Sequence, residues 1–266
     1  MNWFHYFTEL KNLGFRYFFA SGVIFLIFYV LFRNRYAGKR IQTKFPKSRD
    51  YYREIGYSML TMTIFALVPT FLIFTPAIRA HTLILDSPFQ YGAFYFWFAF
   101  VLMFFMHDAY FYWAHRLMHH PMLFKYFHAV HHQSVNPSPF AAYAFHPLEA
   151  FVEVGIFVLF IFCLPVHFIH LGFFFLFQIG YNVYGHSGYE FYPKGFNKGR
   201  FGKWVNTSVA HNMHHQYFKG NYGLYTMIWD RWMGTTHPNY DVEFEKNKTQ
   251  TITTALPQSN TVSHAN

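Results

Sequence analysis

Charge is what this sequence has least of. Only 12% of its 266 residues are charged, against about 25% in an ordinary soluble domain. Aromatic residues reach 24%, with 38 Phe and 21 Tyr. So little charge would leave the surface of a soluble protein uncovered, whereas a lipid-facing surface needs none. Cysteine is nearly absent too. With Cys163 alone, intrachain disulfides and thiolate metal clusters are excluded, and any metal falls to His, Asp or Glu. No Gly-rich dinucleotide fingerprint and no HExxH zinc-protease motif is present. Residues 1–16 are mixed and aromatic, and no small-residue cleavage site follows the first apolar stretch, so a cleavable signal peptide is not expected.

The apolar residues fall into blocks. Residues 17–32 are uncharged and near the length of about 20 residues that spans a bilayer. Further spans are expected over 56–78 and 89–106. Two more apolar runs, 150–165 and 168–185, flank Pro165 and read as two spans or as a hairpin dipping into one leaflet. The net charge of +9 could suggest nucleic acid. However, Arg33, Arg35, Lys39, Arg40, Lys44, Lys47, Arg49 and Arg53 cluster directly after the first apolar block. That placement follows the positive-inside rule, which puts this loop in the cytoplasm and the N-terminus outside. No nucleic-acid partner is expected. The reading is an all-α fold, a multi-pass transmembrane bundle of about four to five membrane helices under a cytoplasmic helical cap. An anchor over 1–94 precedes a catalytic domain over 95–240 and a polar, disordered tail over 241–266.

Of the 18 histidines, eight lie within 107–146 and four within 186–215. Three groups have recognisable spacing: His115 with His119; His128 with His131 and His132; His211 with His214 and His215. Residues three or four apart share a helical face, and an adjacent pair can diverge toward two metals. Pro121 suits the first turn of a helix carrying the second group. Asn206, Thr207 or Ser208 can cap a helix carrying the third, with Gly220 as its terminator. Eight imidazoles suit two metals, and imidazole alone does not choose among Fe, Zn, Cu and Ni. Scattered histidines such as His5, His81, His167, His170, His237 and His264 read as ordinary surface or core residues. Acids near lipid need partners, and metal-bound imidazoles donate their second N–H to such groups. Asp108 and Glu149 are therefore the expected supports, while Glu153 reads equally as an interfacial acid.

These boxes, in this order and with two apolar segments between the second and third, resemble the fatty acid hydroxylase/sterol desaturase superfamily. Asp108-x-x-x-Tyr112-Trp113-x-His115-Arg116-x-x-His119 resembles its first signature, and Phe145-His146-Pro147-Leu148-Glu149 the start of its next membrane helix. His186-Ser187-Gly188 resembles its isolated histidine, and Trp229-Asp230-x-x-x-Gly234-Thr235 its closing motif. The similarity covers roughly 95–236. It implies two iron ions, dioxygen as co-substrate and electrons from an external donor, a small carrier of the cytochrome b or ferredoxin type with its reductase. By matching position it implies the ligands His115, His119, His128, His131, His132, His186, His211, His214 and His215, with Asp108, His146, Glu149 and Asp230 supporting them. The substrate would be a membrane lipid: a sterol, a fatty acyl chain or a relative of these. The cytoplasmic membrane of a bacterium or the endoplasmic reticulum of a eukaryote would house it, with the site on the cytoplasmic side. No fused haem domain fits this chain, and carotene hydroxylases differ in first-box spacing.

Attack on an unactivated C–H bond needs a redox-active metal, which zinc is not. Phe-rich helices could line a tunnel for the lipid, with Tyr112, Trp113 and Tyr143 at its mouth. Oxygen insertion is the default outcome after hydrogen abstraction, since desaturation requires a second hydrogen within reach. The alternative class is a zinc-dependent membrane hydrolase or a metal-ion transporter. The missing HExxH glutamate weighs against the first, and ligands at helix ends rather than at the membrane midplane weigh against the second.

Overall fold

The computed structural model describes residues 2–255 and is helical, with only isolated β-bridges and no strand among the described residues. His264 and the remainder of the expected tail lie outside the described residues.

Among the described residues, three helices are long and apolar enough to cross a membrane. The first, α1 (Trp3–Phe25), begins earlier than residue 17 because Asn2 caps it, its side chain accepting from His5 N. It continues through a π-helical turn, Leu26–Leu31. The second, α2 (Ser48–Phe74), begins inside the basic segment, with Asp50 in its first turn. It stops at Thr75 and not at 78, because Pro76 opens a separate short turn, α3 (Pro76–Arg79). The third, α4 (Gly92–Met118), runs unbroken from the apolar block into the first histidine pair. Large apolar side chains face outward along this helix and others; Phe94 is 83% exposed and Phe173 63% exposed. A belt of this kind suits acyl chains and would be a liability in water.

After α5 (Pro121–Phe127), the chain enters α6 (Pro147–Cys163) and α7 (Phe168–His186), separated by Leu164–His167. At about 1.5 Å per residue these two rise about 25 and 28 Å. Their connection is tied to the one between α2 and α4: Leu83 N donates to Ile161 O at 2.7 Å and Leu85 N to Val166 O at 2.9 Å. The α6–α7 turn therefore sits level with the far ends of α2 and α4. The opposite ends of α4, α6 and α7 all reach the histidine-rich cap, which adds α8 (Ser208–Tyr217), α9 (Ile228–Trp232) and α10 (Tyr240–Ala255).

Helix α10 occupies residues expected to begin an unstructured tail. Composition misled there, because two anchors four residues apart, Tyr240 and Phe244, are enough to bury one face against Val209, Ala210 and Met213 of α8. The second histidine group also departs from expectation: α5 does open on Pro121, but it ends at Phe127, before His128. His128 closes that helix and His131–Gln133 forms a 3-10 turn.

One acid ties the anchor to the cap. Glu54 of α2 is fully buried and accepts from Ser134 Oγ at 2.7 Å and from Ser138 Oγ, just beyond the second histidine group. Losing it strands two buried hydroxyls, at about 1–3 kcal/mol each. Glu54→Ala should therefore lower stability by about 2–6 kcal/mol, read as a reduced unfolding midpoint in detergent; an unchanged midpoint would show that this link contributes nothing.

Candidate metal centre

The three boxes and His186 converge in two buried clusters. His115, His119, His128, His132 and His214 form one, and His131, His186, His211 and His215 form the other. The division follows helical geometry. In every box the members four apart stay together (115/119, 128/132, 211/215), while the member three along, His131 or His214, turns to the other cluster. His132 N donates to His128 O at 3.2 Å, so the i,i+4 relation survives where the α-helix has ended. In the third box Thr207 is the cap, accepting from Ala210 N at 3.1 Å, and the helix ends with Phe218 left-handed at φ 61°.

Ring orientation is set from behind. His115 Nδ1 lies 2.8 Å from Tyr222 O, His214 Nδ1 2.7 Å from Gly220 O, and His186 Nδ1 2.8 Å from Asn182 O. A carbonyl only accepts, so each of these Nδ1 atoms carries the proton, and each neutral ring aims a bare Nε2 lone pair inward. Glu149 does the same for His128, 2.5 Å from its Nδ1.

The inward nitrogens crowd together. His115 Nε2 and His128 Nε2 are 2.9 Å apart, and two lone pairs cannot hydrogen-bond. His214 Nε2 lies 3.0 Å from His132 Nε2 and 3.1 Å from His119 Nε2. His186 Nε2 lies 3.0 Å from His211, 3.2 Å from His215 and 3.3 Å from His131. Nitrogens about 2.1 Å from one ion and at right angles stand about 3.0 Å apart. The donor set, its spacing and its tautomers therefore fit a cation in each cluster. Burial also drives these rings toward the neutral, ligating form. It pushes the pKa of His132 down to about 3, and those of His128, His131, His211, His214 and His215 well below the ordinary value, with the neighbouring imidazoles adding to the effect.

The fatty acid hydroxylase family profile matches residues 100–235, a stretch that contains all nine of these histidines. The chain belongs to the fatty acid hydroxylase family. It is 32% identical over 193 residues to a probable Delta(7)-sterol 5(6)-desaturase of Neurospora crassa, covering 72% of this chain and 54% of that protein. A Delta(7)-sterol 5(6)-desaturase of Aspergillus fumigatus is 34% identical over 187 residues, 68% of this chain and 49% of that one. Lathosterol oxidase of Rattus norvegicus is 30% identical over 191 residues, 70% and 62%. The chain spans about half the length of the curated relatives it matches. No solved structure matches it significantly.

Among the family residues expected to support the ligands, only Glu149 touches one. Asp108 accepts instead from Tyr225 N, Thr226 N and Thr226 Oγ1 at 3.2, 3.0 and 2.6 Å. Asp230 takes Tyr222 N, Gly223 N and Thr235 Oγ1 at 2.9, 2.8 and 2.7 Å. Both acids thus pin the 220–226 loop, whose carbonyls of Gly220 and Tyr222 hold two of the rings. His146 caps α6, accepting from Leu148 N at 3.2 Å, and reaches no ligand ring. Tyr112 packs away from any tunnel, its hydroxyl 2.9 Å from Thr235 Oγ1 and its ring stacked on Trp229. The carbonyl supports at Asn182, Gly220 and Tyr222 left no mark in the sequence, since any residue supplies a carbonyl. Gly220 is the exception. Its φ is +76°, and a Cβ there would lie 2.6 Å from Thr235 O, so only glycine fits that turn.

Two outcomes follow. Removing an outer partner of a metal-bound imidazole typically costs 10–100-fold in affinity, so Glu149→Ala should weaken metal binding by about that factor in a chelator competition; Glu153→Ala, one turn along α6, should not. Acid should also loosen the metal-free protein. The folded rings resist protonation while the unfolded chain accepts protons near 6.5. Stability is then full above that pH and lost as pH falls through it, by about 2 kcal/mol per ring at about pH 5. A midpoint of thermal unfolding that stays flat between about pH 7.5 and 5 would contradict this.

Proposed function

We propose that this chain is an integral membrane oxidoreductase that oxidises C–H bonds of a sterol-like lipid with dioxygen, using two iron ions held by the nine clustered histidines. The observation that carries the reading is the pair of buried, neutral imidazole clusters with inward lone pairs, set at one end of the membrane helices. Bound iron would supply the redox chemistry of dioxygen activation, which zinc lacks.

The chain's own residues do the remainder. His115, His119, His128, His132 and His214 would hold one ion, and His131, His186, His211 and His215 the other. Glu149 and the carbonyls of Asn182, Gly220 and Tyr222 keep four rings in the ligating tautomer, and the acid-pinned 220–226 loop keeps those carbonyls in place. The aromatic shell, with Phe145 against His131 at 5.1 Å and Phe218 against His132 at 4.7 Å, excludes water from the centre. The relatives named for sterol 5(6)-desaturation and lathosterol oxidation move the reading from oxygen insertion toward removal of two hydrogens from a sterol. Electrons would come from a small cytochrome b or ferredoxin-type carrier and its reductase. The site would face the cytoplasm, in the plasma membrane of a bacterium or the endoplasmic reticulum of a eukaryote.

Iron-loaded protein in lipid, given a Delta(7)-sterol, dioxygen, an electron carrier and reductant, should form an oxidised sterol. Zinc-loaded protein, or iron-loaded protein without reductant, should give no sustained product. His131→Ala and His214→Ala should each lower bound iron and abolish turnover, whereas His5→Ala should do neither. Full iron content and activity in His131→Ala would sink the ligand assignment. Zinc-supported turnover would sink the oxidase.

A further inference from the structure

A cavity of about 410 Å³ lies inside the membrane bundle between α1, α2, α6 and α7. Its walls are mostly apolar, Phe157 and Phe175 among them. Its far end lies between Phe74, the last residue of α2, and Phe168, the first of α7. Glu9 and Asn12 of α1 line the cavity toward the Phe74 end, while the end nearer the histidines carries Glu153, Gln178, Tyr143 and Arg16.

These polar groups are incompletely used by the protein. Tyr143 donates to Gln178 Oε1 at 3.0 Å, which fixes the amide so that its NH2 group, without a protein partner, is left over. Among the described residues Glu153 and Arg16 have no hydrogen bond or salt bridge, either with each other or with other groups. Polar groups at this depth are costly unless they serve a guest. A free carboxyl acceptor and a free amide donor together match one hydroxyl, which has one proton to give and lone pairs to receive. A carboxylate guest would meet both the Glu153 carboxyl and the Arg16 guanidinium, whose charges offset one another, and would gain less there than a neutral hydroxyl.

The polar end also has a defined relation to the metal centre. Glu153 follows Glu149 by one turn of α6, a rise of about 6 Å, and Glu149 holds His128. On the other side Tyr143 is separated from His131 by Phe145 alone, with ring centroids 6.3 Å and 5.1 Å apart.

We infer that this cavity receives a lipid alcohol hydroxyl-first, with Glu153 accepting from the hydroxyl, Gln178 donating to it, and the lipid body extending toward Phe74 and Phe168. The carbons presented to the histidine clusters are then those within a few bonds of the hydroxyl. In a sterol these belong to the rings near carbon 3 and not to the side chain. This rests on the lipid-oxidase reading for the choice of guest, but the site itself needs no metal.

Binding to the metal-free full chain in nanodiscs separates the two claims. The probes are cholest-7-en-3β-ol, its 3-deoxy analogue cholest-7-ene, and palmitate. Wild type should prefer the alcohol over the deoxy compound by about tenfold or more, the worth of a pair of buried hydrogen bonds, and palmitate should compete poorly. Glu153→Leu and Gln178→Leu should each erase most of that preference while binding the deoxy compound as before, which also reports that they have folded. Equal binding of alcohol and deoxy compound by wild type would overturn the proposal, as would an intact preference in Glu153→Leu or displacement of the sterol by palmitate. Discrimination without any oxidation by the iron-loaded enzyme would leave the site standing and remove the oxidase; oxidation without discrimination would do the reverse.

Discussion

The cap is built around one electrostatic requirement: many neutral imidazoles must point their lone pairs into two clusters away from water. Unbound, such an arrangement is unfavourable. Lone pairs about 3 Å apart repel, and burial forbids the protonation that would relieve them. It persists because the opposite nitrogen of four rings is committed to a backbone carbonyl or to Glu149. Much of the surrounding polar structure exists to hold those acceptors still.

That requirement explains why two conspicuous acids sit one step back from the rings. A carboxylate placed directly on each imidazole would add charge to an already desolvated site. Asp108 and Asp230 instead accept backbone N–H and threonine hydroxyls from the loop whose carbonyls face the rings. The carbonyls then supply a neutral but directional acceptor. Glu54 does for the segment after the second box what Asp230 does for the closing loop, and it links the cap to a membrane helix in the process.

The membrane helices contribute orientation as well as anchorage. Helix α4 carries the first box out of the bilayer without a break, so the depth of that pair is set by the length of the helix below it. Helices α6 and α7 bring Glu149 and His186 to the same level from the other side, and leave between themselves, α1 and α2 the cavity whose polar end lies under the histidines. The bundle thus delivers the histidine clusters and a lipid-sized space to adjacent positions on the same helices.

Eight histidines in three groups spaced by three and four, and the membrane character of the chain, were legible from residue order alone, whereas His186 was reached only through the family resemblance. Helical periodicity and the cost of charge in lipid act locally and leave a periodic mark. The same holds for Pro121 and Thr207 at helix starts, and for Glu149, an acid where an apolar helix opens. Other features depended on which distant backbone came near. The division of histidines between two clusters, the carbonyls of Asn182, Gly220 and Tyr222, the indirect work of Asp108 and Asp230, and the docking of α10 through Tyr240 and Phe244 are of this kind. A carbonyl belongs to every residue and a buried face to no single one, so apart from the glycine at 220 the sequence carries no separate sign for them. Only packing the helices decided which carbonyl would meet which ring.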